Sequence, residues 1–276
     1  MLVFFDLILA TAHRRAPLPN LFDSLAAQSH RDFRVLLIDQ NPEGHLDEVL
    51  ARARVRPNAP EIIHLRSEVG LSRARNVGLA HLQGDAFALV DDDLTYEPDT
   101  LATAAAALAS CDIAIGNLLT PDAKRPSPAR PLTPRPLRWI HEAFYAAPSA
   151  TLFFRRDVAR KLPAGFPEDI GAGADSPYGS GAETDFLIRA MLEGFQAARH
   201  PEIIIRHPLP DFLEKGARLK GRRYGRGRHH IIRKHRLGAW FVALNALHSA
   251  GRMLSKPCDP AHLHYYWQMF LGRLGR

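Results

Sequence analysis

The stretch Phe87-Ala-Leu-Val-Asp91-Asp92-Asp93 decides how the rest of the chain is interpreted. Four apolar residues are typical of a buried strand, and three carboxylates follow without a gap. Adjacent like charges repel, so the triplet costs folding energy unless a positive group lies among them. Ligands of open α/β sheets bind at the carboxyl ends of the strands, and oxygen ligands suit Mg²⁺ or Mn²⁺. Taken alone, the triplet is better explained as an acidic turn before a helix that begins near Pro98.

Apolar runs alternate with helical patterns on both sides of this stretch. Strands are predicted at 3–10, 33–39, 61–65, 87–90, 111–115, 150–154 and 203–207, and helices from near Pro17 and at 46–53, 71–82, 101–109, 157–162 and 183–193. This alternation predicts an α/β fold with a mostly parallel central sheet flanked by helices. Neither a Gly-x-Gly-x-x-Gly turn after the first strand nor a Gly-Lys-Ser/Thr phosphate loop is present, which disfavours those two nucleotide folds.

Composition excludes several classes of protein. No run of about 18 apolar residues exists, so no membrane-spanning helix is expected. The apolar N-terminus lacks the basic leading segment of a signal peptide and is interrupted by Asp6. Cys111 and Cys258 form no disulfide framework and have no metal-binding spacing, which is compatible with a reducing cytoplasm. We therefore expect a cytoplasmic protein.

Polar residues follow the first two predicted strands. Thr11 and Arg14 come after strand one, and Asp39 ends strand two. Under the sheet-end rule both loops lie at one edge, where a carboxylate can accept hydrogen bonds from a base or a sugar. A turn cap explains each residue equally well when it is taken alone.

A helix start and a glycine-rich loop supply two further candidate sites. Gly70-Leu-Ser-Arg73-Ala-Arg75-Asn76 places cations at a helix N-terminus, which is an anion site or simply a solvated helix start. Glu183 and Asp185 open a helix after the loop at 165–181. Carboxylates are favoured there by the helix dipole, and one of them can also act as a general base.

The order of these pieces resembles the family 2 glycosyltransferases, which are inverting enzymes of the GT-A fold. The resemblance spans roughly residues 3–207 and ends on His207, which follows a late strand. It implies that Asp39 contacts the nucleotide base, that Asp91 faces ribose with help from Asp92, and that Asp93 binds the metal. Many relatives place a metal-binding histidine where this chain has His207, although a lone histidine is more often structural.

The resemblance also implies a mechanism. Glu183 matches the position of the catalytic base, but Ala182 stands where the family often has a second acidic residue, so Asp185 stays an alternative. The implied reaction is a single displacement in which Mn²⁺ or Mg²⁺ and Arg73 or Arg75 neutralise the departing diphosphate. The expected donor is a nucleotide-diphosphate sugar, with UDP as the predicted nucleotide. The expected acceptor is a saccharide or lipid-linked hydroxyl in cell-surface polysaccharide or glycolipid synthesis.

We predict a catalytic domain at 1–211, with a nucleotide-binding half at 1–116 and an acceptor-binding half at 117–211. A basic, helical extension follows at 212–276. The proline-rich segment at 121–136 is predicted to be a loop.

The net charge of +7 is concentrated in one block. Ten lysine or arginine residues lie between Lys215 and Arg236, and Trp240, Phe241 and an aromatic cluster at 265–270 follow. This pattern suits an interfacial segment on anionic lipid at the inner face of the cell membrane, or a helical tail folded on the catalytic domain. A nucleic-acid-binding module is less favoured because the block has little aromatic interleaving. A nucleotidyltransferase of related fold is the remaining rival, and it would require a triphosphate.

Overall fold

The computed structural model describes residues 3–123, 133–146, 149–208 and 216–276. Residues 124–132 of the predicted proline-rich loop, Lys215 of the basic block and the predicted domain boundary at 211 lie outside the described residues.

The described strands and helices follow the predicted alternation. The strands are β1 Phe5–Thr11, β2 Phe33–Asp39, β3 Glu61–Arg66, β4 Ala86–Asp91, β5 Thr95–Tyr96, β6 Ile113–Leu119, β7 Arg135–Pro136, β8 Leu152–Arg155 and β9 Ala197–Arg206. The helices are α1 Leu18–Ala26, α2 Asp47–Arg54, α3 Leu71–Ala80, α4 Thr100–Ala107, α5 Ala143–Ala146, α6 Arg156–Lys161, α7 Ala182–Leu192, α8 Ala217–Lys234, α9 Ala239–Leu254 and α10 Pro260–Arg273. The short elements β5, β7 and α5 and the first half of β9 were not predicted.

Contacts between Cα atoms divide the chain into two units. The first, here called the sheet unit, comprises residues 1–69, 73–165 and 186–208. The second, here called the helical unit, comprises residues 70–72, 166–185 and 209–276. Helices α3 and α7 each begin in the helical unit and continue in the sheet unit.

The sheet unit contains one mixed sheet with the strand order β3-β2-β1-β4-β8-β6-β9-β5, and β7 also pairs with β9. The first four strands in this order are parallel, as predicted. Strand β8 runs antiparallel to both β4 and β6, while β6 and β9 are parallel to each other. The second half of the sheet is therefore less regular than the sequence indicated.

Alternating side chains of β1 cover the two faces of the sheet. Phe5, Leu7 and Leu9 belong to a buried cluster that includes residues of α1, α2 and α4. On the other face Ile8 meets α3 at Gly78, where an added Cβ would lie 2.5 Å from the Ile8 Cγ2. Burying such a side chain contributes about 1.5–3 kcal/mol, so helices on both faces explain the continuously apolar strands.

Strand register brings the predicted polar residues to one edge of this sheet. Thr11 pairs with Asp39 across β1 and β2, and Ala10 pairs with Asp91 across β1 and β4. The carboxyl ends of three neighbouring strands therefore meet, as the sheet-end rule predicts.

The helical unit joins the predicted glycine-rich loop to the C-terminal helices. The Arg223 guanidinium donates hydrogen bonds to the carbonyl oxygens of Ala174 and Ser176, each at 2.7 Å. Helices α8 and α10 approach closely through glycines, since an added Cβ at Gly225 would lie 2.4 Å from the Met269 carbonyl oxygen. In the parts of the chain that the structure describes, no helix is long and apolar enough to cross a bilayer.

Candidate active site

A cluster of charged side chains lies at the carboxyl edge of the sheet. The Thr11 hydroxyl at the end of β1 donates to Asp92 Oδ2 at 2.9 Å. The guanidinium of Arg14 then bridges two carboxylates, with Nη2 2.7 Å from Asp92 Oδ1 and Nη1 2.6 Å from Asp93 Oδ2. His207, which follows β9, places Nε2 3.0 Å from Asp93 Oδ1. The structure thus brings together five of the predicted site residues, which come from three separate parts of the sequence.

The environments of Asp92 and Asp93 separate their pKa values. Burial of Asp92 raises the pKa of its carboxyl to about 6, despite the opposing charge of Arg14. Burial also acts on Asp93, but hydrogen bonding and charge from His207, and then from Arg14, hold the pKa of that carboxyl well below its usual range. The Asp93 carboxylate, in contact with the imidazole, in turn raises the pKa of His207. Asp93 is therefore the carboxylate of this pair that is held ionised most firmly.

Asp93 and His207 are side chains of the types that can bind a divalent cation. His207 Nδ1 lies 2.6 Å from the Pro208 carbonyl oxygen, which would keep the Nδ1 proton in place when a cation replaces the proton on Nε2. Asp93 Oδ1 is buried without a well-aligned hydrogen bond. A carboxylate oxygen and an imidazole nitrogen, here 3.0 Å apart, are atom types that would bind Mn²⁺ or Mg²⁺. No group of three potential ligands exists among the described side chains, so substrate or water oxygens would complete the coordination.

Asp91 faces a different partner. Its Oδ1 lies 3.4 Å from Nη2 of Arg75, a cation on α3 that is almost wholly buried. Arg73, two residues earlier, is partly exposed and forms an ion pair with Glu68. Asn76 lies beside Gly165, where an added Cβ would meet the Asn76 amide oxygen. The three polar residues predicted on α3 therefore have separate environments within the sheet unit.

Ser72 lies at the start of α3, but its hydroxyl bonds to the protein backbone. Its hydroxyl is buried and donates to the Ile170 carbonyl oxygen at 2.5 Å. The amide of Leu71 donates to the Ala172 carbonyl oxygen at 2.9 Å. These bonds fix the loop after residue 165 to the first turn of α3.

Asp39 is buried, and both of its carboxylate oxygens already accept hydrogen bonds. Oδ1 accepts from the backbone and side-chain nitrogens of Asn41, each at 2.8 Å. Oδ2 lies 3.0 Å from His64 Nε2 and 2.9 Å from Arg66 Nη1. Burial opposes ionisation, but the Asn41 donors, His64 and Arg66 together lower the pKa of Asp39.

His64, Arg66 and Asn41 were not predicted as site residues from the sequence. Arg66 ends β3, and its pairing with Asp39 across β2 and β3 is a sheet-edge position that the same rule would have identified. His13 was also missed as an individual residue. It has a φ of 62° and its amide donates to Asn41 Oδ1 at 2.5 Å, which joins the loops after β1 and β2.

Glu183 and Asp185 at the start of α7 have different environments. Asp185 is fully buried, and its Oδ1 lies 2.8 Å from Lys234 Nζ and 2.8 Å from His235 Nε2 at the end of α8. Glu183 is only partly buried. Both residues belong to the helical unit, whereas the Asp93 cluster belongs to the sheet unit.

A comparison with protein families bears directly on this arrangement. Residues 6–163 match the model of glycosyl transferase family 2, which covers β1, the loop with Arg14, Asp39, the start of α3 and the aspartate triplet. The chain belongs to glycosyl transferase family 2. This membership confirms the resemblance drawn from the sequence.

Curated relatives in this family match a shorter segment. A PGL/p-HBAD biosynthesis glycosyltransferase from Mycobacterium bovis (strain BCG / Pasteur 1173P2) is 38% identical over 106 residues. This segment is 37% of the present chain and 40% of the mycobacterial protein. The chain therefore aligns with less than half the length of that relative.

Solved structures establish the fold. The mannosyltransferase PcManGT from Pyrobaculum calidifontis, in complex with GDP-Man and Mn²⁺, has a TM-score of 0.67 at 16% identity, over 99% of this chain and 87% of that one. S. aureus TarS 1-349 in complex with UDP-GlcNAc has a TM-score of 0.60 at 13% identity, over 99% of this chain and 91% of that one. The family 2 chain described here has the GT-A fold.

Proposed function

We propose that this protein transfers a sugar, with inversion, from a nucleotide-diphosphate sugar to a hydroxyl acceptor. The observation that carries the proposal is the Arg14, Asp92, Asp93 and His207 cluster at the carboxyl edge of a family 2 sheet. Adjacent carboxylates need a balancing positive charge. A cation that holds a diphosphate donor would bring such a charge to this edge of the sheet.

Asp93 and His207 are the proposed metal ligands, and Mn²⁺ or Mg²⁺ is the proposed ion. When bound, the ion supplies Lewis-acid stabilisation of the charge that develops on the diphosphate. Arg14 holds the Asp93 carboxylate ionised and in place. The Mn²⁺ in the PcManGT complex supports the choice of metal.

The loops after β1, β2 and β4 are the proposed donor site. Asp91, oriented by the buried Arg75, is proposed to face the ribose. Asp39 is proposed to lie beside the nucleotide base, with Asn41 and Arg66 held by its carboxylate. Arg73 and Asn76 are proposed to contact the diphosphate. The neighbours bind GDP-Man and UDP-GlcNAc; UDP is retained as the predicted nucleotide for this chain.

Glu183 is the proposed catalytic base. A base must reach the proton that it removes, and Asp185 is buried against Lys234 and His235. Asp185 is instead proposed to position the start of α7. This assignment keeps the match of Glu183 to the family pattern.

The proposed acceptor is a hydroxyl of a glycolipid or a cell-surface polysaccharide precursor, used at the inner face of the cell membrane. The name of the mycobacterial relative, a PGL/p-HBAD biosynthesis glycosyltransferase, supports this acceptor class. Family membership favours sugar transfer over nucleotidyl transfer. If the protein is stabilised by nucleoside triphosphates and not by diphosphates, the nucleotidyltransferase alternative is favoured.

The base assignment is tested with a panel of UDP- and GDP-sugars, Mn²⁺ and a glycolipid acceptor fraction. We expect Glu183→Gln to lower the transfer rate by about 10²–10⁴-fold with unchanged affinity for the nucleoside diphosphate. Glu193→Gln, which alters an exposed carboxylate just beyond the other end of α7, is the matched control and should retain activity. Full activity in Glu183→Gln, with loss in a normally folded Asp185→Asn, would move the base to Asp185.

A further inference from the structure

Helix α9 presents an apolar stripe to solvent. The stripe follows helical spacing at Trp240, Ala243, Leu244, Leu247, Gly251 and Leu254, which are all apolar, and the exposed side chains of His248 and Arg252 border it on one side. Trp240 is 61% exposed, Leu247 66% and Leu254 78%. Contiguous exposed apolar surface of this kind marks an interaction site.

The inward face of the same helix carries polar side chains. Asn245 and Ser249 are fully buried there beside Phe241. The Asn245 side chain accepts from Arg228 Nε at 2.5 Å and donates to the Phe241 carbonyl oxygen at 2.7 Å. Arg273 Nη1 donates to the Asn245 carbonyl oxygen at 2.6 Å. Rolling α9 to bury its leucines would break these bonds and leave buried polar groups unpaired, so the outward orientation is built into the helical unit.

The C-terminal helices that include this face carry an excess of positive charge, which favours an anionic partner. Residues 216–276 contain thirteen lysine or arginine residues and a single acidic residue, Asp259. The Asp259 carboxylate caps α10 by accepting from the His262 amide. A second copy of the chain would bring two such basic surfaces together, whereas an anionic lipid surface offers the opposite charge.

Cations lie at both ends of the apolar stripe. Arg236 precedes α9, and Arg252 and Lys256 lie at its C-terminal end; all three are exposed. An apolar face with tryptophan and leucine, bordered by arginine and lysine, has the composition of an interfacial helix. Phe241 and Tyr265, which the sequence had placed in the interfacial cluster, are buried instead.

We infer that the α9 face formed by Trp240, Ala243, Leu244, Leu247, Gly251 and Leu254 binds the surface of an anionic lipid bilayer, with Arg236, Arg252 and Lys256 contacting the headgroups. The inference extends the proposed function by naming the surface that meets the membrane. Its test needs neither donor nor transfer activity, so its failure can be told apart from failure of the proposed reaction.

Tryptophan fluorescence of the full chain tests the inference. Three tryptophans are present, and Trp139→Phe with Trp267→Phe leaves Trp240 as the reporter. We expect a blue shift, and quenching by brominated acyl chains, on adding phosphatidylcholine vesicles that contain phosphatidylglycerol. Pure phosphatidylcholine vesicles should give little change, and added salt should weaken the response. An unshifted Trp240 spectrum with the anionic vesicles would overturn the inference.

Vesicle flotation of surface variants provides the second arm. Leu244→Ser with Leu247→Ser should weaken binding roughly tenfold or more, while the control Val55→Ser with Leu192→Ser removes comparably exposed apolar groups from the sheet unit and should not. Circular dichroism confirms that each variant folds. Unchanged flotation of the α9 variant would overturn the inference, as would a dimer, detected by light scattering, that the α9 substitutions abolish.

Discussion

At the residue scale, neighbouring aspartates in one turn have different roles because of what surrounds them. Asp92 is buried under Thr11 and Arg14, and its pKa is raised to about 6. Asp93, one residue later, meets His207 and has a lowered pKa. The sequence predicted the triplet as a site, and the family resemblance assigned Asp91 to the ribose, with help from Asp92, and Asp93 to the metal. The internal role of Asp92 depends on Thr11, which is distant in sequence, so local pattern could not show it.

The Asp39 partners His64 and Arg66 are also distant in sequence and could not be identified from local pattern. The contacts of Asp39 predict a measurable effect on stability. Its four contacts keep the carboxylate ionised, so its pKa lies below the ordinary value of 3.8. A lowered folded-state pKa contributes stability that is present above the unfolded value, about 3.9, and is lost as pH falls through the folded value. We expect Asp39→Asn to lower the free energy of unfolding by about 1–3 kcal/mol at neutral pH.

Urea unfolding of both proteins across pH measures this effect. The difference between wild type and Asp39→Asn should hold above about pH 4 and shrink at lower pH. The exposed carboxylate of Asp157 provides a control, because Asp157→Asn should change stability little. A difference that grows as pH falls would contradict the assignment.

At the element scale, apolar periodicity predicted the helices and strands that pack in the usual way, with boundaries shifted by a few residues. It could not give the antiparallel placement of β8 between β4 and β6, because strand direction depends on the path of the chain. Apolar periodicity also could not show which side of α9 is buried. Its buried side includes Asn245 and Ser249 while Leu244, Leu247 and Leu254 are exposed, so a rule that places leucines inside assigns the wrong face.

The close packing of α8 on α10 predicts that a glycine-to-alanine substitution there lowers stability, whereas the same substitution on α9 does not. Alanine favours a helix over glycine by about 0.5–1 kcal/mol, yet a Cβ at Gly225 would lie 2.4 Å from the Met269 carbonyl oxygen. We expect Gly225→Ala to lower stability by about 1–3 kcal/mol through overpacking.

Gly251 lies on α9 with no atom within 4 Å of an added Cβ. Gly251→Ala should therefore leave stability unchanged or raise it slightly. Thermal unfolding of both variants checks the pair. Equal stabilisation by the two substitutions would show that α8 and α10 are not packed as described.

At the scale of the whole molecule, the sequence was sufficient for the family and the GT-A fold, because residues spread over most of the matched segment share one order. The predicted boundary at 211 stays a prediction. The unit that contains α8, α9 and α10 also includes residues 166–185 and 70–72. Contacts such as Arg223 with Ala174 and Ser176 join parts of the chain that a linear division keeps apart.

The central claim is that Asp93 and His207 hold a divalent cation that binds the donor diphosphate. Calorimetric titration of UDP and GDP, with and without Mn²⁺, into wild type, Asp93→Asn and the control Asp157→Asn tests it most directly. We predict Mn²⁺-dependent binding of a nucleoside diphosphate to wild type and to Asp157→Asn, weakened about tenfold or more in Asp93→Asn. Equally tight binding to a folded Asp93→Asn protein, with the same dependence on Mn²⁺, would contradict the account.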